Sequence, residues 1–450
     1  MNFIEKDLVV VGSGISGIHA ALAASRRGLE VLLVERNGSV GGISTIGLCN
    51  PFMRFWLGGE SLVSGIFGEI LVDLHERGGI LRNSFDSETL KIIFLEKLRK
   101  AGVSLVLHSL PTAVVSSERK IEEVSFISSS GAKFTAKAKM FLDSTGDASL
   151  AKMAGATLFS GNMEGAHQAS TLMFTMSNIN FERIREDVGR RRSNFFKWVT
   201  PDSKPLSVAG YFEEIEKARN SGFNNLHDYF FFIELPGEDR VSVNTTHSSD
   251  KDPLNPFELS QSVFECSEQI DQLVAFTRKY VRGFEESRIE KIADDIGIRE
   301  SRRVKGLYVF TGEDVRSHRK FYDGVVKATY GIDIHSPETQ KITREVRSSV
   351  PEYSDYYEIP LRALISCDFF NLYTAGRCFS SDFEGQSAGR IMPTSAGMGQ
   401  AIGMASAISF ESGRPITEIS RDEIDRGLHS ITGNNSICSL SDILKINHSN

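Results

Sequence analysis

The chain has 450 residues, which is enough for a large hydrophobic core and about two or three domains. Hydrophobic residues make up 40% and charged residues 24%, and the formal net charge is -7. This acidic balance argues against nucleic acid or an anionic membrane as the main partner. The five cysteines form no C-x-x-C pair, which disfavours a metal site, an iron–sulfur centre and a redox-active dithiol. With a polar N-terminus and no apolar run of about 20 residues, the sequence predicts a cytoplasmic protein.

The N-terminal region has the order strand, glycine turn, helix and strand. Residues 8–11 are an apolar, β-branched run typical of a buried strand, and an alanine-rich stretch up to Arg27 predicts a helix that Gly28 ends. A second strand is predicted at 30–35. Two parallel strands joined by a helix form a βαβ unit, so we predict an α/β fold built on a Rossmann-like domain.

The remaining elements indicate how this domain is completed. Helices predicted at 67–75 and 87–101 are followed by short strands between 103 and 134, whose spacing predicts a β-meander beside the parallel sheet. Buried strands are predicted at 139–142 and 371–374, and a helix at 391–410. We therefore assign residues 1–160 and 366–412 to one discontinuous domain, 161–365 to an inserted α+β substrate domain and 413–450 to a peripheral tail.

The glycine turn fits the pattern G-x-G-x-x-G. Gly12 permits the tight turn out of the strand, Gly14 lets the backbone approach a pyrophosphate, and Gly17 lets the helix pack closely on the strand. The helix N-terminus offers N–H groups and partial positive charge to the phosphates. Glu35 ends the second strand, where an acid is expected to bind ribose hydroxyls and to repel the 2′-phosphate of NADP.

Three further features favour FAD over NAD. The pair Gly41-Gly42 follows the second strand closely, Thr145-Gly146 comes after a late strand, and Gly376-Arg377 comes after the last one. Ligands of open α/β sheets gather at such carboxyl ends of strands. The sequence therefore predicts an FAD site assembled from several loops.

With these blocks in order, the chain resembles the FAD-dependent oxidoreductase family of glutathione-reductase-like flavoproteins, in the branch with a fumarate-reductase-like FAD site. The resemblance is carried by ordered blocks at 9–17, 40–45, 65–70, 143–147, 297–302, 330–335, 359–362, 375–378 and 390–394. It implies a non-covalently bound FAD cofactor. The cofactor-binding residues that it implies are Gly12, Ser13, Gly14, Ile15, Ser16, Gly17, Glu35, Arg36, Gly41, Gly42, Ser44, Leu110, Thr145, Gly146, Gly376, Arg377, Met398 and Gly399.

The resemblance also implies where parts of FAD lie. The strand around Leu110 would supply backbone groups to the adenine, and a helix starting near Met398 and Gly399 would direct its N-terminus at the flavin. A positive helix end at that position stabilises an anionic reduced flavin.

Substrate chemistry needs one group that moves a proton and others that bind an anion. His335 is the first candidate acid or base, because histidine titrates near neutral pH. Arg362 precedes the last strand and Arg390 precedes the last helix, so both are candidate catalytic residues. The candidate substrate-binding residues are Arg54, Arg299, Arg302 and Thr394.

Each of these candidates has a structural alternative. Arg299 and Arg302 could form internal ion pairs with Glu300 or Asp294, and His335 could be a hydrogen-bonded structural histidine. The aromatic residues around Arg54 could be core or the wall of a pocket.

We therefore predict an FAD-dependent oxidoreductase that transfers a hydride between FAD and a small polar metabolite, such as a sugar, polyol, hydroxy acid or unsaturated acid. The sequence does not specify the electron acceptor, and a homo-oligomer is compatible with it. A flavin-dependent RNA-modifying enzyme and the FAD subunit of a larger electron-transfer complex are the alternatives. The acidic balance and the scattered cysteines favour the metabolite enzyme.

Overall fold

The computed structural model describes residues 2–335 and 354–432. The chain begins with a parallel-sheet unit whose elements are β1 Asn2–Val11, α1 Ile15–Arg26, β2 Val31–Val34, β3 Trp56–Leu57, β4 Glu60–Ser61, α2 Ile66–Glu76, β5 Ile80–Leu81, β6 Ser84–Phe85, α3 Ser87–Lys100, β7 Ser104–Val106, β8 Ser109–Ser117, β9 Lys120–Ser128, β10 Lys133–Asp143 and α4 Ser149–Ala154. It continues with β11 Leu158–Ser160, β12 Phe174–Ser177, α5 Phe181–Arg190, β13 Ser207–Gly210, α6 Phe212–Asn220, β14 Phe230–Glu234, β15 Val241–Val243, α7 Pro256–Tyr280 and β16 Arg288–Ile292. It ends with β17 Arg302–Val304, α8 Gly312–Arg316, β18 Gly324–Ala328, β19 Tyr357–Pro360, β20 Leu372–Thr374, α9 Phe383–Gly389, α10 Met392–Ser412 and α11 Arg421–Thr432.

The largest sheet has seven strands in the order β7-β2-β1-β10-β9-β8, with β20 also paired to β10. β1 runs parallel to β2 and β10, whereas β9 and β8 form an antiparallel meander. Leu8 and Val10 of β1 face a core built with α1 and α10, and Val9 and Val11 face one that includes α4. Because both faces are covered, β1 reads as a continuous apolar run. The predicted α/β fold with a parallel sheet and a meander is confirmed, although the strands predicted within 133–142 are one strand, β10.

The inserted region has a sheet and a core of its own. Its five strands are antiparallel in the order β13-β14-β15-β12-β16. Phe230, Phe232 and Phe276 are among the residues of its core, which α7 helps to cover. α7 starts cleanly because Asn255 accepts a hydrogen bond from Phe257 N and a proline occupies the first turn. The predicted α+β insertion is confirmed.

The two cores bear on where the insertion ends. Apart from Leu48, the buried apolar residues of the inserted core lie between Leu172 and Ile296. Phe310 and Tyr357 already belong to the core of the parallel-sheet unit. The boundary at 161–365 stays a prediction, and the burial pattern favours an earlier return of the chain to the first unit.

The described part of the tail is not peripheral. Ile416, Ile424 and Leu428 are buried in the core that α1 and α10 share. The expectation of a peripheral segment is therefore wrong for 413–432, and the rest of the predicted tail lies outside the described residues. None of the helices in the described ranges is long and apolar enough to cross a membrane.

Candidate functional site

The turn between β1 and α1 is built by its three glycines. Gly12 has φ +98°, and a Cβ there would lie 2.5 Å from the carbonyl oxygen of Ser144. A Cβ on Gly17 would lie 1.9 Å from the carbonyl oxygen of Gly12, so no side chain fits at either position. Gly14 differs, because a Cβ on it would meet no described atom within 4 Å. The turn thus combines a tight bend, close packing and one open approach, which is what a dinucleotide-binding turn requires.

The second glycine pair lies against this turn. Gly41 N donates to the carbonyl oxygen of Ser13 at 2.8 Å. A Cβ on Gly42 would lie 3.2 Å from Gly14 Cα. Ser44 is fully buried, and its Oγ donates to the carbonyl oxygen of Gly41 at 2.8 Å, which closes the second loop. The predicted cofactor residues of the two loops are therefore brought together.

Glu35 holds the turn from the end of β2. It is 6% exposed, and its carboxylate accepts from Ser13 N and Ser13 Oγ at 2.8 Å and from Asn37 N at 2.9 Å. Ser109 N donates to the carbonyl oxygen of Glu35 at 2.8 Å, so Leu110, the next residue of β8, lies beside this acid. Ribose binding by Glu35 and adenine binding near Leu110 stay predictions.

Two other predicted cofactor residues have side chains with other contacts. The side chain of Ile15 is buried in the hydrophobic core, which leaves only its backbone for a phosphate. Arg36 has a 56% exposed side chain, and its Nη2 lies 2.9 Å from a carboxylate oxygen of Asp295. A direct contact of either side chain with FAD stays a prediction.

The ends of three strands converge on the first turn of α1. Ser16 Oγ and Ser144 Oγ are 2.6 Å apart, and each lies 3.2 Å from the carbonyl oxygen of Ala375. Gly376 has φ +84°, and a Cβ there would lie 2.4 Å from Ser16 Oγ. The residues that follow β1, β10 and β20 therefore line one side of the glycine turn.

An ordered corner follows β10. Thr145 donates to Asp143 Oδ1 from its N at 3.0 Å and from its Oγ1 at 2.8 Å. Gly146 has φ +75°, and a Cβ there would lie 2.8 Å from Arg377 Nη2. Arg377 Nη2 also lies 2.7 Å from Asp147 Oδ1. Burial would raise the pKa of Asp147, but the attraction of Arg377 outweighs it and holds that pKa below its ordinary value.

The last helix differs in one respect from what the family resemblance implies. α10 begins at Met392, so Met398 and Gly399 lie inside it and do not form its N-terminus. Gly399 instead permits close helix packing, since a Cβ there would lie 2.1 Å from the carbonyl oxygen of Ser16. The helix predicted at 391–410 is confirmed, whereas the start near Met398 that the resemblance implies is wrong. Pro393 is the signal that marks the true start, because proline is favoured in the first turn of a helix.

These loops form a cradle that fits FAD. Gly12, Gly41 and Gly376 have positive φ values, so each bends the backbone in a way that glycine alone adopts freely. Within the described chain, α1 has neither a side-chain cap nor an acid in its first turn, so its N–H groups are available to a pyrophosphate. We refer to this arrangement, from 12–17, 41–44, 143–147 and 375–377, as the glycine cradle.

A second polar group lies between the glycine cradle and the inserted region. Arg390 directly precedes α10, and its Nη2 donates to the carbonyl oxygen of Asp333 at 3.1 Å and lies 3.7 Å from its carboxylate. Asp333 Oδ1 lies 3.5 Å from His335 Nε2. Arg299 Nη1 donates to the carbonyl oxygen of Ala169 at 2.6 Å. We term Arg299, Arg390, Asp333 and His335 the arginine pocket.

Electrostatic shifts show that these groups act on one another. Burial and repulsion from Arg390 lower the pKa of Arg299 to about 10. Burial also lowers the pKa of Arg390, although Asp333 opposes this. Burial would raise the pKa of Asp333, but its interaction with His335 and the charges of Arg390 and Arg299 hold it well below its ordinary value. Burial and Arg299 lower the pKa of His335, so the imidazole is neutral at neutral pH. The arginine pocket therefore carries one surplus positive charge.

Cys49 lies beside the same two arginines. Burial raises the pKa of its thiol to about 11, and Arg299 and Arg390 offset only part of this effect. A thiol that stays protonated is a poor nucleophile. Cys49 is therefore suited to packing and not to thiolate chemistry.

Two predicted arginines are placed elsewhere. Arg362 Nε lies 2.9 Å from Asp323 Oδ2, and the guanidinium lies 4.7 Å from the ring centroid of Tyr322. Arg302 Nη1 is 3.4 Å from the carbonyl oxygen of Asp147. Within the described chain, neither Arg362 nor Arg302 forms a hydrogen bond or an ion pair with a member of the arginine pocket.

Arg54 and Thr394 have mainly structural surroundings. Arg54 Nε donates to the carbonyl oxygen of Trp56 at 3.1 Å. Phe52 and Phe55 are buried in the core, so the aromatic run there is core and not pocket wall. Thr394 is buried in the first turn of α10.

Glu300 does not neutralise the predicted arginines. It is fully buried and pairs with Arg303, and its Oε2 lies 2.8 Å from His167 Nδ1. Asp294 Oδ2 lies 3.6 Å from Lys291 Nζ. Within the described residues, the alternative ion pairs of Arg299 and Arg302 with Glu300 or Asp294 are not formed.

Sequence reasoning missed several residues of this region. Asp333 stands two positions before His335, a spacing that puts both side chains on one side of an extended segment and could have identified it. Gln168 contacts the same segment, since its Oε1 accepts from His335 N at 3.2 Å. Nothing in the local sequence around Gln168 marks it, because only the fold brings it to His335.

Two solved structures align with most of this chain. A geranylgeranyl bacteriochlorophyll reductase-like protein of Thermoplasma acidophilum aligns over 99% of this chain and 98% of its own, with 13% identity and a TM-score of 0.48. A myxobacterial chondrochloren halogenase aligns over 95% of this chain and 78% of its own, with 13% identity and a TM-score of 0.49.

Sequence comparison gives a relative and a family. Digeranylgeranylglycerophospholipid reductase 2 of Methanosphaera stadtmanae is 25% identical over 253 residues, which span 50% of this chain and 61% of the relative. A family model described as FAD dependent oxidoreductase matches residues 7–428, which contain the glycine cradle and the arginine pocket. The chain therefore belongs to the FAD dependent oxidoreductase family.

Proposed function

We propose that the protein transfers a hydride between FAD and a small polar metabolite bound in the arginine pocket. The position of Arg390 carries this proposal. Its guanidinium enters the arginine pocket, while the helix that begins at Met392 packs through Gly399 against Ser16 of the glycine cradle. One short segment thus joins the two sites. FAD, when bound, would accept or donate the hydride.

The arginine pocket provides the groups that the substrate needs. Arg299 and Arg390 would bind an anionic group and orient the reacting carbon, because guanidinium groups match carboxylates in geometry and charge. When an alcohol carbon loses a hydride, its hydroxyl proton must pass to a base. His335 is neutral and would take that proton, and Asp333, at 3.5 Å, would stabilise the imidazolium that forms. In the reverse direction the same imidazolium returns the proton.

The surplus charge supports one part of the predicted substrate range. A sugar or polyol offers no charge to the arginines, whereas a hydroxy acid or an unsaturated acid does. Desolvated, unpaired charges are unfavourable, so the pocket favours acids over neutral compounds.

Reduction of a carbon–carbon double bond is the second candidate activity. The observation that supports it is the similarity to a digeranylgeranylglycerophospholipid reductase, which spans half of this chain. In that direction His335 would deliver a proton to carbon, and the protein would need an electron donor such as NADH.

The visible spectrum of the purified, anaerobic protein tests these proposals. We expect flavin bands that a hydroxy acid bleaches and that sugars and polyols leave unchanged. His335→Gln should retain FAD and slow the bleaching by about 100-fold, which is typical for loss of a general base. Arg288→Gln, on the exposed strand β16, is the matched surface control.

Other spectral outcomes have definite meanings. Bands that no acid bleaches, but that reappear when an unsaturated acid is added after NADH reduction, would support the reductase activity. A protein that neither contains nor accepts a flavin would contradict both candidates.

A further inference from the structure

Two buried polar side chains next to the arginine pocket each have an atom without a partner. Gln168 is 2% exposed, and its Oε1 accepts from His335 N at 3.2 Å, which fixes the orientation of the amide. Its Nε2 has no hydrogen-bond partner among the described residues. His247 is 8% exposed, and its Nε2 also has no hydrogen-bond partner among the described residues. Buried polar groups are rarely left in this condition, and two of them in one wall indicate a role in ligand binding.

The wall that carries these side chains is held rigidly. Ser170 and Ser248 exchange both backbone hydrogen bonds, at 2.9 and 3.0 Å, so the two segments lie side by side. The side chain of Gln269 binds both the N and the carbonyl oxygen of His247 at 2.8 Å. Such a fixed backbone positions donors before a ligand arrives.

The same wall also positions Arg299. The carbonyl oxygen of Ala169, the residue after Gln168, accepts from Arg299 Nη1 at 2.6 Å. On its other side, Gln386 Nε2 donates to the carbonyl oxygen of Arg299 at 2.9 Å. Gln168 therefore adjoins both the cation and the histidine of the arginine pocket.

The two unpartnered groups are neutral, and His247 is a donor at Nε2 in the tautomer that carries its proton there. Burial and the charge of Arg299 lower the pKa of His247 to about 3, so its ring carries no charge at neutral pH. Gln168 is an amide and does not ionise. A neutral N–H matches a hydroxyl or keto oxygen, whereas the surplus positive charge of the arginine pocket matches a monoanion.

We propose that Gln168 and His247 form a second subsite beside the arginine pocket. The ligand is then a small organic acid with a carboxylate for Arg299 and Arg390 and a nearby hydroxyl or keto oxygen for Gln168 and His247. This inference rests on the proposed function, since it names the substrate class of the same pocket. A plain carboxylic acid would leave the two neutral donors unpaired, and a phosphate dianion would exceed the available charge.

Calorimetric titration of the FAD-loaded protein with sodium propionate, lactate and pyruvate tests this proposal. These acids share one chain length and differ only at the carbon next to the carboxylate, which carries no oxygen in propionate, a hydroxyl in lactate and a keto oxygen in pyruvate. We expect lactate or pyruvate to bind about tenfold more tightly than propionate, because the missing oxygen leaves buried donors unpaired. Arg299→Gln should weaken binding of all three acids by about tenfold or more.

Gln168→Leu isolates the second subsite. This variant should lose most of the preference for lactate or pyruvate and change propionate binding by less than about threefold. Gln261→Leu, at an exposed position of α7, is the matched control. His247→Phe should reduce the same preference and provides the test if Gln168→Leu fails to retain FAD.

Several results would overturn the inference. These are equal binding of the three acids, a preference that both variants leave unchanged, and no binding of any acid at tens of millimolar. Tighter binding of inorganic phosphate than of every acid would mean that the arginines bind a phosphate group and not a carboxylate. An acid that binds with the expected preference but never bleaches the flavin would contradict the proposed function and leave the second subsite intact.

Discussion

The glycine cradle and the arginine pocket are built in opposite ways. The cradle is made of backbone. The absence of side chains permits the tight bend at Gly12, the open approach at Gly14 and the close helix packing at Gly17. The arginine pocket is made of long side chains from segments that are far apart in sequence, such as Arg299 and Arg390. A site made of backbone leaves a contiguous pattern in the sequence, whereas the grouping of distant side chains into one site is visible only after folding.

The largest expected effect is on the packing of the cradle. Gly17→Ala would place a Cβ 1.9 Å from the carbonyl oxygen of Gly12, where backbone must move. We expect the free energy of unfolding of the apoprotein to fall by about 3 kcal/mol or more, as for other overpacked sites. Urea denaturation measures this change.

Gly189→Ala is the matched control for that experiment. Gly189 lies in α5, and no described atom lies within 4 Å of an added Cβ. The same substitution should stabilise the protein by about 0.5 to 1 kcal/mol, because alanine is the better helix former. If both variants changed stability in the same direction and to the same extent, the close approach at Gly17 would not be the cause.

The second prediction concerns a histidine under the cradle. His19 of α1 is fully buried between Phe67 and Phe94, and burial lowers its pKa to about 4. Between about pH 4 and pH 6.5, the neutral form of His19 is therefore favoured in the folded state and the protonated form in the unfolded state. As the pH falls from about 6.5 to about 4, the unfolded state takes up a proton that the folded state does not, so stability is lost over this window. We expect this histidine to account for about 2 to 3 kcal/mol of that loss.

His19→Leu should remove this part of the acid sensitivity. The measurement is the difference in the free energy of unfolding between about pH 7 and about pH 4.5. His75→Leu, on the exposed side of α2, is the matched control. An acid sensitivity that His19→Leu leaves unchanged would assign the loss to other groups.

The contrast explains what the sequence could predict. The roles of Gly12, Gly14 and Gly17 follow from one motif between a strand and a helix, and the structure confirms that geometry. Arg390 and His335 are candidates from the sequence because their positions precede or end recognisable blocks, and their roles stay predictions. Gln168 and His247 have no such signal, since their contact depends on the Ser170–Ser248 pairing within the insertion. The residue pattern predicts the last helix at 391–410, close to the observed Met392–Ser412, and only the start near Met398 that the family resemblance implies is wrong.

The third prediction separates ligand binding from folding within one turn. Gly14→Ala adds a Cβ that meets no described atom within 4 Å, and Gly14 has φ -65°, which alanine adopts readily. We expect apoprotein stability to change by less than about 0.5 kcal/mol. FAD affinity should fall by about tenfold or more, because the Cβ occupies the approach to the backbone. Fluorescence titration of apoprotein with FAD measures the affinity. Unchanged FAD affinity would mean that the open side of Gly14 is not the pyrophosphate approach.

The smallest expected effect is at Arg362, which sequence order placed near the flavin. Its guanidinium is engaged by Asp323 at 2.9 Å and lies over the ring of Tyr322, in a half-exposed position. Ion pairs of this kind contribute about 0 to 1 kcal/mol. Arg362→Gln should therefore change kcat/KM by less than about threefold, whereas Arg390→Gln should lower it by about 10- to 100-fold through the loss of a charge-assisted contact. The rate of flavin reduction by the substrate compares the two variants. A larger fall for Arg362→Gln than for Arg390→Gln would move the reacting centre to the place that sequence order indicated and would take the arginine pocket out of the reaction.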